Sequence, residues 1–174
     1  MRLVGFKAQN HPQQATNRNV DDRALPQGEF NLLIQRRFNL TIDAAAAPHN
    51  AKLERFWTEQ DNALEQSWKG ERVYCNPPYS DIAPWVEKAW AETEAEIVVM
   101  LLPANRTEQK WWQNGIEPQR DRPGSGLRVE FLPGRPRFLK PGQQIIGTNE
   151  RPHFGCVLCI WEAEPAAGAR NELS

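Results

Sequence analysis

The stretch Glu96-Ile97-Val98-Val99-Met100-Leu101-Leu102-Pro103 is a continuous apolar run of the length of one strand. A strand has an unbroken apolar sequence when both of its faces are buried, which is typical of parallel sheets covered by helices. Apolar residues at helical spacing predict helices over residues 84–94 and 107–114, one on each side of this run. The sequence therefore predicts an α/β protein with residues 96–103 as a buried strand.

Two further strands are predicted before this run, one at residues 40–43 and one that begins at Val73. Two more are predicted after it, at residues 127–132 and 154–161. A helix is predicted at residues 29–38, where apolar side chains recur at helical spacing. Strands alternate with helices in the first part, and the last two strands have no helix between them. This order predicts a mostly parallel sheet that ends in an antiparallel strand pair.

The length of 174 residues fits one domain. We expect a polar arm at residues 1–22, a domain at residues 23–161 and a disordered tail at residues 162–174. The net charge is −1, but residues 105–151 hold nine basic and five acidic side chains, so a basic insertion is predicted at about residues 104–151. No apolar run approaches the roughly 18 residues of a membrane span, so a soluble, cytoplasmic protein without a membrane partner is expected.

The tetrapeptide Asn76-Pro77-Pro78-Tyr79 follows the predicted Val73 strand directly. The Asn76 side-chain oxygen and the Pro77 carbonyl are two acceptors that can take both N–H bonds of a planar amine. Those bonds localise the nitrogen lone pair and make the amine a better nucleophile. The two prolines stiffen the loop, and Tyr79 can stack on the ring that carries the amine. A strand end before a helix start is the structural alternative, but the carboxyl end of a strand favours a ligand site.

A second candidate loop is Asp43-Ala44-Ala45-Ala46, after the predicted strand at residues 40–43. If the amine held by the tetrapeptide is to be methylated, a methyl donor must lie beside it, and S-adenosylmethionine is the natural donor. Small side chains let such a ligand approach the backbone closely, and the Asp43 carboxylate can pair with its ammonium group. No glycine-rich turn follows this strand. Helix or simple packing is the alternative interpretation of the alanines.

Several stretches, in order from Val20 to Trp161, resemble the phage-type DNA N6-adenine methyltransferase (Dam) family. They are VDDRALP from Val20, FNLTIDAAAAPHNAK from Phe38, FWTEQDNALEQSWKG from Phe56, RVYCNPPYSDIAPWVEKA from Arg72 and VVMLLPA from Val98. The resemblance implies a Rossmann-like, S-adenosylmethionine-dependent methyltransferase sheet. The implied reaction is methyl transfer to the N6 amine of an adenine flipped out of double-stranded DNA, in a bacterial host cell, with protection of phage DNA as a purpose.

The resemblance also implies roles for individual residues. The catalytic residues are Asn76, Pro77, Pro78 and Tyr79. The donor-binding residues are Asp43, Ala44, Ala45, Asp61 and Pro26, although the family often has Thr-Pro where this chain has Leu25-Pro26. The basic region after Pro103, rather than the resemblance, supplies the candidate phosphate contacts, with an ordinary solvated surface as the alternative: Arg106, Lys110, Arg128, Arg135, Arg137 and Lys140.

The cysteines predict neither a metal site nor a nucleophile. Cys156 and Cys159 lie three apart in a predicted strand and would point to opposite faces, so we expect buried thiols, and Cys75 is expected to pack inside its strand. Three other functions remain open at this point. One is methylation of a protein glutamine amide, which the same tetrapeptide can hold. The second is methylation of a cytosine amine, although Asn at the first motif position favours adenine, and the third is a non-catalytic DNA-binding or anti-restriction module. The oligomeric state is not predicted.

Overall fold

A computed structural model of the chain describes residues 23–139, residue 143 and residues 154–162. The predicted arm, Lys140 and residues 163–174 of the predicted tail lie outside the described residues. The strands are β1 Ile42–Asp43, β2 Arg72–Cys75, β3 Ile97–Pro103, β4 Leu127–Phe131 and β5 Cys156–Glu162. The helices are α1 Gln27–Phe30, α2 Arg36–Phe38, α3 Ala83–Ala91 and α4 Lys110–Gly115, and a π-helical segment, Asn31–Gln35, joins α1 to α2.

The five strands form one mixed sheet in the order β1-β2-β3-β5-β4. β1, β2 and β3 are parallel, whereas β5 lies between β3 and β4 and is antiparallel to both. The α/β class and the antiparallel pair at the end of the sheet are confirmed. The parallel part is confined to the first three strands, because β5 inserts beside β3.

Apolar layers cover both faces of the sheet. Every residue of β3 is buried, as its unbroken apolar sequence predicted. One layer contains Val86 of α3 and Trp112 of α4, and the other contains Phe30 of α1. Cys156 and Cys159 belong to opposite layers, and all three cysteines are free and buried, as expected.

The first helix and strand differ locally from their predicted bounds. The helix starts at Gln27, directly after Pro26, and contains a π-helical segment that the apolar spacing did not predict. β1 is shorter than predicted because the Leu40 N–H donates to Gln35 Oε1 at 3.0 Å instead of joining the sheet. Among the described residues, no helix is long and apolar enough to cross a bilayer.

Candidate active site

The parallel strands β1, β2 and β3 all end at one edge of the sheet. The tetrapeptide starts directly after β2, and the alanine segment starts directly after β1. A hydrogen bond from Ala44 N to Tyr74 O, 2.8 Å long, joins the two exits. The structure therefore brings both predicted loops to the edge where α/β sheets hold their ligands.

The Asn76 side chain is oriented by one hydrogen bond. Its Nδ2 donates to the backbone carbonyl of Arg23 at 2.8 Å. Its Oδ1 is buried and has no hydrogen-bond partner. Leaving a buried carbonyl oxygen unpaired costs about 1–3 kcal/mol, so this acceptor is available for an N–H group of a ligand.

A chain segment after β4 returns across the sheet and closes over Asn76. The Ala24 N–H donates to Leu139 O at 3.3 Å, and the Leu139 N–H donates to Ala24 O at 2.8 Å. This two-residue antiparallel bridge holds Phe138 and Arg23 beside the tetrapeptide. The bridge thus fixes the Arg23 carbonyl that orients the Asn76 amide.

A cavity of about 340 Å³, including its open mouth, lies at this point. Part of its wall is aromatic, as the walls of small-molecule pockets generally are. Tyr79 and Phe154 meet edge to face with ring centroids 6.1 Å apart. The lining residues are Arg23, Asn76, Pro77, Tyr79, Arg106, Phe138 and Phe154. The cavity combines one free acceptor with aromatic faces, which suits a planar heterocycle carrying an amine.

Tyr79 is held by both its side chain and its backbone. Its hydroxyl donates to Leu101 O at 3.3 Å, and its carbonyl accepts from Arg106 Nη1 at 2.6 Å. Burial raises the pKa of Tyr79 well above its ordinary value, so the phenol stays neutral. Arg106 is therefore tied to the tetrapeptide while it lines the cavity.

Asp43 is a buried carboxylate at the end of β1, 2 % exposed. Its Oδ1 accepts from Ala45 N at 3.3 Å, and its Oδ2 accepts from Lys52 N at 3.0 Å. Burial raises the pKa of Asp43 from 3.8 to about 6, and the two N–H groups and the charge of Lys52 oppose that rise. Burial also lowers the pKa of Lys52, against the opposing effect of Asp43.

Asp43 lines a second cavity of about 270 Å³ that shares Arg23 and Asn76 with the first. Ala45, Lys52 and Tyr74 also line it, together with Ala24 and Asn50. Two further polar atoms on its lining residues, Arg23 Nε and Tyr74 OH, are buried without a hydrogen-bond partner. The second cavity is thus a charged compartment beside the aromatic one.

The structure does not bring every predicted donor residue to these cavities. Ala44 is buried next to Asp43, and Pro26 immediately precedes α1. Asp61 is exposed, and its carboxylate accepts hydrogen bonds from the N–H and hydroxyl of Thr58, at 2.8 Å and 2.7 Å, which lower its pKa. Ala44, Pro26 and Asp61 line neither cavity, so their donor contacts remain predictions.

The predicted phosphate contacts are spread over the second half of the described chain. Arg106 is the member of the set that lines a cavity. Lys110 is exposed at the start of α4, and Arg128 is exposed on the edge strand β4, 3.5 Å from Glu130. Arg135 and Arg137 lie on the segment that closes over Asn76. Lys140 is outside the described residues.

Seven lining residues were not predicted from the sequence: Arg23, Ala24, Asn50, Lys52, Tyr74, Phe138 and Phe154. The first five fall inside the stretches that carry the family resemblance, and that is the signal that could have found them. Phe138 and Phe154 flank the long glycine- and proline-rich connection, where no local pattern points to a ligand. Among the described residues, no cluster of histidine, cysteine or acidic side chains could hold a metal ion.

The fold and the site define an α/β protein with two adjoining cavities at the carboxyl ends of parallel strands. Residues 14–135, more than half of the chain, match the family described as DNA N-6-adenine-methyltransferase (Dam), and the chain belongs to that family. A DNA N-6-adenine-methyltransferase of Haemophilus phage HP1 (strain HP1c1) is 34% identical over 82 residues, covering 45% of this chain and 47% of that protein. One of Escherichia phage T1 is 38% identical over 68 residues, covering 38% of this chain and 29% of that protein. The chain therefore matches about half or less of the length of these relatives.

Proposed function

We propose that this protein is a site-specific DNA methyltransferase that transfers a methyl group from S-adenosylmethionine to the N6 amine of adenine. The observation that carries the proposal is the buried, unpartnered Asn76 Oδ1 in an aromatic cavity. Membership of the Dam family supports adenine in DNA as the acceptor.

The first cavity is the proposed base pocket. Asn76 Oδ1 accepts one N–H of the adenine amine, and the Pro77 carbonyl accepts the other. These bonds strengthen as positive charge develops on the nitrogen, so they stabilise the transition state more than the ground state. Tyr79 and Phe154 supply aromatic surface for a base that has left the duplex, since a stacked adenine cannot reach such a pocket.

The second cavity is the proposed donor pocket, and its residues fit an amino-acid-bearing ligand. Asp43 supplies the anion for the donor's ammonium group, and Ala44 and Ala45 give close approach to the backbone. When bound, S-adenosylmethionine supplies a methyl group on a positively charged sulfur. The two cavities share Asn76, so a donor in one lies next to a base in the other. We also assign Pro26 and Asp61 to the donor site on the family resemblance alone.

The sheet order supports a Rossmann-like methyltransferase fold. Its parallel part presents the site at the carboxyl ends of β1 and β2, and its antiparallel strand lies beside β3. Arg106, Lys110, Arg128, Arg135, Arg137 and Lys140 are the proposed phosphate contacts to double-stranded DNA. The proposed place of action is the host cell of a phage, where methylation would protect DNA from restriction.

Incubation with radiolabelled S-adenosylmethionine and unmethylated DNA, followed by nucleoside analysis, tests the proposal. The expected product is N6-methyladenine, formed by the wild type and not by an Asn76→Ala variant that still binds the donor. Donor binding without label in any base would overturn the proposal. Label in protein glutamine instead would show that the same acceptor pair holds a side-chain amide.

A further inference from the structure

The donor pocket contains two unsatisfied polar groups to which the proposed chemistry has given no role. Tyr74 is 1 % exposed, and its hydroxyl has no hydrogen-bond partner. Arg23 is half-buried as a residue, and its Nε atom is buried and unpartnered. Both residues line the cavity that holds Asp43. Two buried donors without acceptors are costly to the free protein, so they point to an acceptor that arrives with a ligand.

Packing alone does not account for the hydroxyl of Tyr74. Its ring meets Phe30 edge to face at 4.8 Å within an apolar layer, and a phenylalanine would fill that space equally well. Burial, followed by the nearby Asp43, raises the pKa of Tyr74 well above its ordinary value. The hydroxyl therefore keeps its proton and acts as a hydrogen-bond donor to an anion.

We propose that Arg23 and Tyr74 hold the carboxylate of the amino-acid end of S-adenosylmethionine, opposite Asp43, which holds its ammonium group. Arg23 Nε and the Tyr74 hydroxyl each donate one hydrogen bond to the carboxylate. This inference rests on the proposed donor, and it assigns the two ends of one zwitterion to oppositely charged sides of one cavity.

The charges of the cavity agree with this assignment. Asp43 is the buried acid, and Lys52 is the residue whose charge lowers its pKa, after the two backbone N–H groups that the carboxylate accepts from. Within the described part of the chain, Arg23 Nε donates to no acceptor, Asp43 included. An anion other than Asp43 can therefore accept a hydrogen bond from Arg23 Nε, and the donor carboxylate is such an anion.

The Arg23 backbone adds a consequence for catalysis. The carbonyl of the same residue accepts from Asn76 Nδ2 at 2.8 Å and so orients the catalytic oxygen. A donor carboxylate bound to the Arg23 side chain would hold this backbone in place. Arg23 is thus a positioning residue for Asn76 as well as a binding residue for the donor.

The test compares the affinities of S-adenosylmethionine and decarboxylated S-adenosylmethionine by calorimetry. The wild type should prefer the carboxylate-bearing donor. Tyr74→Phe and Arg23→Gln should each reduce that preference about tenfold. The affinity for S-adenosylmethionine should fall, and the affinity for the decarboxylated donor should stay unchanged. Tyr79→Phe is the matched control, because its hydroxyl is bonded to Leu101 O, and it should leave the preference unaltered.

Thermal unfolding supplies a second readout. Tyr74→Phe should not lower the unfolding temperature, since its hydroxyl has no partner to lose, whereas Tyr79→Phe should lower it. An equal loss of affinity for both donors in these variants would overturn the inference, and so would a lowered unfolding temperature of Tyr74→Phe. A preference that disappears only in Lys52→Gln would also overturn the inference, because Lys52 would then be the residue that binds the donor carboxylate. Failure of the wild type to bind either donor would instead contradict the proposed function.

Discussion

The buried Asp43 carboxylate should make the protein's stability and its donor affinity respond to pH in opposite directions. Burial raises its pKa from 3.8 to about 6. Between these two values the folded state holds a proton that the unfolded state has lost, so the free energy of unfolding falls as pH rises through about 6. At about 1.36 kcal/mol for each pH unit, the full loss attributable to Asp43 is about 3 kcal/mol. Below pH 3.8 this loss is absent.

The Asp43→Asn variant isolates this contribution. Exposed carboxyl groups such as Asp61 and Glu117 have lowered pKa values and act in the opposite sense, so the difference between the two proteins is the informative quantity. Relative to wild type, the variant should gain up to about 3 kcal/mol between pH 4 and pH 8, as measured by urea unfolding. A difference that does not change with pH would refute the assigned pKa.

Donor binding should show the converse dependence, because an ammonium group pairs with the ionised carboxylate. Calorimetry between pH 5 and pH 7.5 should find the affinity of wild type for S-adenosylmethionine rising about tenfold per pH unit up to about 6, then levelling. Asp43→Asn should bind more weakly and without this slope. Equal slopes for the two proteins would remove Asp43 from the donor pocket.

Three further predictions concern the packing, the DNA surface and the thiols. Gly115→Ala should destabilise the protein by about 1–3 kcal/mol in urea unfolding, because the added Cβ would lie 2.7 Å from Val86 Cγ1; an unchanged midpoint would contradict this contact. Arg106→Gln should lower DNA affinity and reduce the dependence of log affinity on log salt by about 0.9, whereas an unaltered slope would confine Arg106 to holding Tyr79 O. The three buried cysteines should resist a thiol reagent at pH 8 until the protein unfolds, and rapid labelling of the native protein would show that a thiol is accessible.

The sequence predicted those parts of the fold whose signals are local. The apolar run at residues 96–103 is the buried strand β3, because burial on both faces leaves no room for polar side chains. The tetrapeptide was expected at the carboxyl end of a strand, and Asn76 directly follows β2. Burial of the cysteines on opposite faces followed from strand alternation alone.

The completed site depends on contacts between distant residues and had no local signal. The carbonyl of Arg23 orients Asn76 from 53 residues away, and the segment that closes over it pairs Leu139 with Ala24. The Asn76 side chain donates to a backbone carbonyl, and Ala24 pairs with Leu139 through backbone groups alone, so the side chains of Arg23, Ala24 and Leu139 carry no signal for these contacts. The sequence therefore predicted the acceptor of the tetrapeptide but not the part of the chain that encloses it.

The most direct test of the account is single-turnover methyl transfer to unmethylated DNA, with donor and DNA saturating, for wild type and Asn76→Ala. Removal of one preorganised hydrogen-bonding group of this kind costs about a hundredfold to a thousandfold in rate. The account predicts a loss of N6-methyladenine formation of at least that size, with donor affinity and unfolding temperature nearly unchanged. A transfer rate within a few fold of wild type would contradict the central claim that Asn76 Oδ1 holds the adenine amine.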